Sequence, residues 1–195
     1  MARILIVEGA ARGLSLAETL VGGGHAVRIV TGDPERRAAI ERAGAECLLG
    51  KPDRLATLAG ALEHVTVACW LLADVSGDPA LVRALHGPRL ERFLCGAIDT
   101  TLRGFVYEAG GEAVPADVLA EGERIVSETA ALNSIPTAIL TVDPRDSQAW
   151  LTQARAAVLG LLEDRHPSVA ARYANSYIPK SRSAFDAEAS TQEDS

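Results

Sequence analysis

Six short runs of apolar residues, separated by stretches with helical spacing, constrain the fold of this chain more than any other feature. Residues 4–7 (ILIV) and 66–73 (TVACWLLA) are almost free of polar side chains. Strands of that kind are covered on both faces, which is the habit of parallel sheets flanked by helices. Further strands are expected at residues 26–30 (AVRIV), 45–50 (AECLLG), 102–110 (LRGFVYEAG) and 137–142 (TAILTV). Between the first two, Leu14, Ala17, Leu20 and Val21 recur at helical spacing until Gly22-Gly23-Gly24 stops them. Pro34 opens the next helix at its favoured first position and Gly44 closes it. Residues 53–65, 80–97 and 116–132 supply three more helical stretches, the second with a candidate break at Gly87-Pro88. A last one covers residues 147–164, with Trp150, Ala154, Ala157, Val158, Leu161 and Leu162 on one side. The expectation is an α/β fold: a doubly wound parallel sheet of about six strands, helices on both faces, in a single domain over residues 1–165. Residues 166–195 form an extension. After about residue 180 it is polar and acidic around a lone Phe185, and is expected to be disordered.

At 195 residues the chain can bury a sizeable core. Its net charge of −7 argues against nucleic-acid binding. No apolar run approaches the roughly 20 residues that cross a bilayer, so no membrane partner is expected. Met1-Ala2-Arg3 leads straight into a strand without a basic, apolar leader, and a cytoplasmic location is the expectation. Cys47, Cys69 and Cys95 are widely spaced, with no Cys/His cluster to hold a metal, and read as small buried hydrophobes. His25, His64, His86 and His166 read as surface or helix-end residues.

The loop after the first strand, VEGAARGLS, invites a ligand reading, because open parallel sheets bind ligands beyond the carboxyl ends of their strands. Gly9 permits a tight turn, and Gly13 would let backbone approach a pyrophosphate at the start of the helix. Neither the GxGxxG spacing nor a GxxxxGK[ST] loop is present. An empty strand–helix turn is the alternative. Glu8 is unusual here: its carboxylate would repel a phosphate by up to about 4 kcal/mol at ~4 Å and intermediate dielectric. Arg12 could offset that charge, or Glu8 could turn toward a ribose hydroxyl. Asp33 stands 20 residues after Gly13, where an acid commonly holds the NAD ribose, yet before Pro34 it also reads as a helix cap. Arg12, Arg36 and Arg37 could instead surround the 2′-phosphate of NADP.

VEGAARGLS resembles the TGxxxGxG loop of the short-chain dehydrogenase/reductase superfamily. The following GGGHAVRIVTGDPERRAAIERAGAECLLGKPDRLATLAGAL is similar to the matching segment of NmrA-like and epimerase-like members. LRGFVYEAG and AEGERIVSETAALNSIPTAILTVDP resemble their later strands and helix, so the likeness runs over about residues 3–144. It implies a Rossmann-type sheet and a dinucleotide cofactor, NAD or NADP, and it favours cofactor binding over the empty turn. It implies binding by Gly9, Ala11, Arg12, Gly13, Leu14 and Ser15 at the first turn. Gly32, Asp33 and Arg36 after strand two, Lys51 and Pro52 after strand three, and Ala73 and Asp74 after strand four complete the set. Ser15 replaces a glycine, with a hydroxyl that could donate to phosphate. Gly32 and Lys51 replace an arginine and an aspartate.

The superfamily's Tyr and Lys, four residues apart on the helix after strand five, have no counterpart in residues 115–134. Tyr177 and Lys180 are three apart, with Pro179 between them, and read as surface residues. Catalytic residues are therefore unassigned. Asp74 and Glu108 fall on the ligand edge as conceivable acid/base groups, although exposed loop carboxylates are the blander reading; Trp70 and Tyr107 read as packing. The readings are an NAD(P)-binding protein of the atypical short-chain dehydrogenase type acting as an oxidoreductase on a small-molecule substrate, or a non-catalytic cofactor sensor or interaction protein. The two long amphipathic helices offer faces for a homo-oligomer.

Overall fold

The computed structural model describes residues 1–52 and 54–163, the side chains of 55–57 excepted. The readings of His166, Tyr177, Lys180 and the extension at 166–195 lie outside the described residues.

The six apolar runs form β1 (Arg3–Glu8), β2 (Ala26–Thr31), β3 (Glu46–Leu49), β4 (Val67–Leu71), β5 (Gly104–Glu108) and β6 (Thr137–Leu140). All pair in parallel, in the order β3-β2-β1-β4-β5-β6. This is the doubly wound Rossmann order, which reverses direction between β1 and β4. The helices are α1 (Ala10–Gly22), α2 (Arg37–Arg42), α3 (Leu55–Ala61), α4 (Pro79–His86), α5 (Pro88–Ala97), α6 (Ala116–Asn133) and α7 (Ser147–Glu163). A single 3-10 turn at Pro34–Arg36 precedes α2.

Side-chain alternation along β1 assigns the layers. Ile4 and Ile6 join Leu16, Ala17 and Leu20 of α1, Ile40 of α2, and Trp150, Ala154 and Val158 of α7. Leu5 and Val7 face the other way, into a core with Leu58 of α3, Leu90, Phe93 and Leu94 of α5, and Val126 of α6. A strand buried on both sides must be apolar at every position, and β4 is fully buried throughout.

The stretch at 80–97 is two helices, not one. Gly87 (φ −111°, ψ −114°) separates α4 from α5, and Pro88 occupies the first turn of α5. Three expectations need correction. Cys95 is exposed on α5 and Cys47 half-buried; only Cys69 is a buried small hydrophobe, its thiol pushed up to about 12 by burial. His86 does end a helix, α4, but is buried there rather than at the surface. Glu108 is no exposed loop carboxylate, since it is 0% exposed.

Candidate functional site

The chain leaves β1 through three successive left-handed residues, Glu8 (φ 62°), Gly9 (φ 81°) and Ala10 (φ 42°). The turn is held by the Gly9 N–H on the Leu71 carbonyl of β4 (3.1 Å) and by the Gly13 N–H on the Gly9 carbonyl (2.6 Å). A Cβ on Gly9 would lie 2.9 Å from the Gly13 Cα, and one on Gly13 would lie 2.9 Å from the Glu8 carbonyl oxygen. Both glycines are therefore required by the turn's own packing, whatever it binds. Gly9 is the N-cap of α1 and supplies no side chain to it. The amides of Ala10, Ala11 and Arg12 have no carbonyl one turn back to bond, at the positive end of the helix dipole and beside the strand-order reversal. Ser15 turns its hydroxyl to the Ala11 carbonyl (3.4 Å), and Leu14 packs against the α1–α7 core.

On the β2 side, Glu8 is the organising group. Its Oε1 accepts the Gly32 N–H at 2.8 Å; its Oε2 lies 3.3 Å from both the Thr31 hydroxyl and Arg36 Nη1. Arg36 Nη2 also donates to the Ala10 carbonyl at 2.6 Å. The cation offsetting Glu8 is thus Arg36, not Arg12. Arg37 pairs instead with Glu41 along α2 (3.4 Å). Asp33 uses its Oδ1 to cap the 3-10 turn, accepting the Glu35 N–H at 2.9 Å. Exposed Lys51 runs its stem along Gly32, where a Cβ would lie 3.3 Å from the Lys51 Cγ; Pro52 beside it is half-buried.

Beyond β4 and β5 lies a second cluster. Arg12 grips Glu108 with both arms of its fork, Nε to Oε1 at 2.7 Å and Nη2 to Oε2 at 2.8 Å, and reaches Asp74 through Nη1 at 2.5 Å. Glu108 also accepts the Ala73 N–H (3.0 Å) and the Trp150 indole N–H (2.8 Å). The Arg12 guanidinium lies 5.5 Å from the centre of the Trp150 ring, in cation–π range. Burial opposes the Arg12 charge, but the bonds to Glu108 and Asp74 outweigh it and hold its pKa above the ordinary arginine value. A cleft of about 290 Å³ opens beside this cluster, between Asp74, Gly111, Asp143 and Arg145.

Behind the edge, His86 of α4 sits between the Tyr107 hydroxyl (Nδ1, 2.8 Å) and the Leu72 carbonyl (Nε2, 3.2 Å). The carbonyl can only accept, which assigns the neutral tautomer with its proton on Nε2 and leaves Nδ1 to accept from tyrosine. Burial holds the His86 pKa below its ordinary 6.5, against the opposing pull of the Leu72 carbonyl. As pH falls below that ordinary value, the unfolded chain takes up a proton that folded His86 does not. Stability should then decline by up to about 1.4 kcal/mol per pH unit until the folded pKa is reached, whereas above the window the group contributes no slope. Urea midpoints at about pH 7.5 and 5.5 check this. The acid loss should be smaller in His86→Gln; an equal loss in both proteins would discount His86.

The fold therefore gathers Gly9, Ala11, Arg12, Gly13, Ala73 and Asp74 around the β1–β4 reversal, and Gly32, Asp33, Arg36, Lys51 and Pro52 beside the β2 end. Sequence reasoning missed the roles of Glu108 and Trp150. The available signal was a carboxylate ending an otherwise apolar strand.

Neither a protein-family model nor a curated protein matches the chain. Its fold is similar to a short-chain dehydrogenase/reductase superfamily protein from Agrobacterium tumefaciens with bound NAD (21% identity, TM-score 0.59, 71% of this chain and 48% of that one). It is also similar to UDP-glucose 4-epimerase from Thermotoga maritima with UDP-glucose (14%, 0.61, 71% and 54%). Vestitone reductase from alfalfa is a third (14%, 0.58, 73% and 56%). The chain spans about half the length of these structures. The likeness is one of fold alone: a doubly wound parallel sheet of the Rossmann type. No helix among the described residues is long and apolar enough to cross a membrane.

Proposed function

We propose that this chain binds an adenine dinucleotide, NAD or NADP, as an atypical short-chain dehydrogenase-type protein that is NmrA-like in its motifs, and that it senses the cofactor rather than turning over a substrate. The observation that carries the binding half is the start of α1: a helix of 13 residues opens without a side-chain cap at the point where strand order reverses. Unbonded amides and the dipole there suit a diphosphate. The donor set fits the adenosine and diphosphate portion, with Glu8 available as an acceptor for ribose.

A bound NAD(P) would supply the hydride chemistry; the second half of the site argues against its use. The mononucleotide position beyond β4–β6 is rimmed by Arg12 and Asp74, which pair with each other, while Glu108 and Trp150 lie buried behind Arg12 and hold it in place. No residue of α6 is a Tyr or a Lys. The rival reading, an interaction protein without a ligand, draws on Arg36 lying across the Ala10 carbonyl at the mouth of the loop.

Thermal melting with NAD, NADH, NADP and NADPH decides between them. Ligand at 100 times its dissociation constant should add about 2.7 kcal/mol, a rise of roughly 5–11 °C for a domain of this size. Ala11→Glu is the appropriate control. A carboxylate on this exposed residue of the first turn should leave stability unchanged or raise it by about 0.3–1 kcal/mol, while repelling the diphosphate and removing the shift. Gly13→Asp is unsuitable, since its Cβ meets the Glu8 carbonyl. Absence of any shift in the wild type ends the cofactor reading, and oxidation of NADH followed at 340 nm with carbonyl substrates ends the sensor reading.

A further inference from the structure

We infer that Glu8, not Asp33, selects the dinucleotide, and that it selects NAD over NADP; this rests on the dinucleotide reading above. The choice turns on which groups at the β2 end remain able to donate and which to accept.

A 2′-phosphate is an acceptor. It needs backbone N–H groups or guanidinium forks facing it. At the end of β2 those donors are already committed. The Gly32 N–H is held by Glu8 Oε1, Arg36 Nη1 lies against Glu8 Oε2 and the Thr31 hydroxyl, and Arg36 Nη2 is on the Ala10 carbonyl. The remaining arginine nearby, Arg37, is turned to Glu41. Lys51 is the other cation at this rim, exposed on a flexible stem, and Asp33 and Glu8 carry the negative charges. Two carboxylates and two cations offer no net attraction to a phosphate.

An unphosphorylated ribose is a donor as well as an acceptor, and Glu8 suits it. The side chain is a quarter exposed, so it reaches solvent on one side while gripping Gly32 on the other. An ionised carboxylate has about four acceptor sites, and the bonds described engage only some of them. Asp33, the residue at the customary spacing, is exposed and holds the Glu35 N–H. The acidic function at this rim has therefore moved from the end of β2 to the end of β1. The left-handed backbone at Glu8 is part of the turn from which its carboxylate crosses to the neighbouring strand.

The test is calorimetric or thermal titration of the full chain with NAD and NADP, in the wild type, Glu8→Gln and Asp33→Asn. The wild type should prefer NAD by about tenfold or more, and Glu8→Gln should bring NADP to within roughly threefold of NAD. Gln keeps the size and one acceptor of Glu8, so Gly32 stays bonded. Asp33→Asn keeps the cap and should keep the wild-type preference. Equal binding of both dinucleotides by the wild type, a preference for NADP, or loss of the preference in Asp33→Asn with retention in Glu8→Gln overturns the assignment to Glu8 while leaving dinucleotide binding intact. No binding of either by the wild type overturns both.

Discussion

Replacing Glu108 with alanine is expected to lower the unfolding free energy by about 3–5 kcal/mol, the cost of removing one partner from a buried ion pair. Glu108 is fully buried and receives four N–H bonds, two from Arg12 and one each from Ala73 and Trp150. Its loss leaves the Arg12 guanidinium, whose side chain is 11% exposed, with only the partly exposed Asp74. It also strands a buried indole N–H and a buried amide, each worth roughly 1–3 kcal/mol when unsatisfied. Arg12→Met should be comparably damaging, because Glu108 then keeps a buried charge with only neutral donors. The double variant Arg12→Met with Glu108→Ala should be less destabilised than the sum of the single changes, since no orphaned charge remains. Urea unfolding of the four proteins measures this coupling. A loss under about 1 kcal/mol in Glu108→Ala, or strict additivity, would show that the cluster does not act as a buried pair.

Gly122→Ala is the second large effect. Gly122 of α6 faces the Tyr107 hydroxyl so closely that a Cβ there would overlap the oxygen and lie 2.6 Å from the ring Cζ. Tyr107 is fully buried in β5, and its hydroxyl is the partner of His86 Nδ1. The methyl group must push the ring or the helix aside, at about 1–3 kcal/mol, and breaking the bond to His86 adds a similar amount. The expected loss is about 3–5 kcal/mol, against the slight gain that alanine brings to an exposed helix interior. Tyr107→Phe alone should cost about 1–3 kcal/mol, because His86 loses its partner. Combined with Gly122→Ala it should recover part of the damage, since removing the hydroxyl makes room for the methyl. If the two losses simply add, overlap with the hydroxyl is not the cause.

Much of the fold was legible because its signals are local. Residues 4–7 and 67–73 are apolar throughout, and residues 26–30 are apolar but for Arg28, as a strand that buries both faces requires. Pro34, Gly44 and Gly87-Pro88 mark helix ends for reasons of backbone geometry within a few residues. The cap role of Asp33 was likewise readable, since it needs only the two residues that follow. The site was legible in position but not in its bonding. Arg12 looked like a counter-ion for Glu8 four residues away; it instead bonds Glu108, 96 residues on, and Asp74, 62 residues on. Glu108 looked exposed because it ends a strand, and His86 because it ends a helix. Each is buried by elements distant in sequence, α7 in the first case and β5 with α6 in the second.

Periodicity along the chain was therefore enough to determine the layers: a parallel sheet of six strands with helices on each face, since alternation and apolar run length act within one element. Only the tertiary structure decided which carboxylates face one another's arginines. The order β3-β2-β1-β4-β5-β6 sets the ends of β1, β4 and β5 side by side, and so brings Arg12, Asp74, Glu108 and Trp150 within hydrogen-bonding reach. Charge pairing depends on separation in space, and no local window of sequence carries that distance.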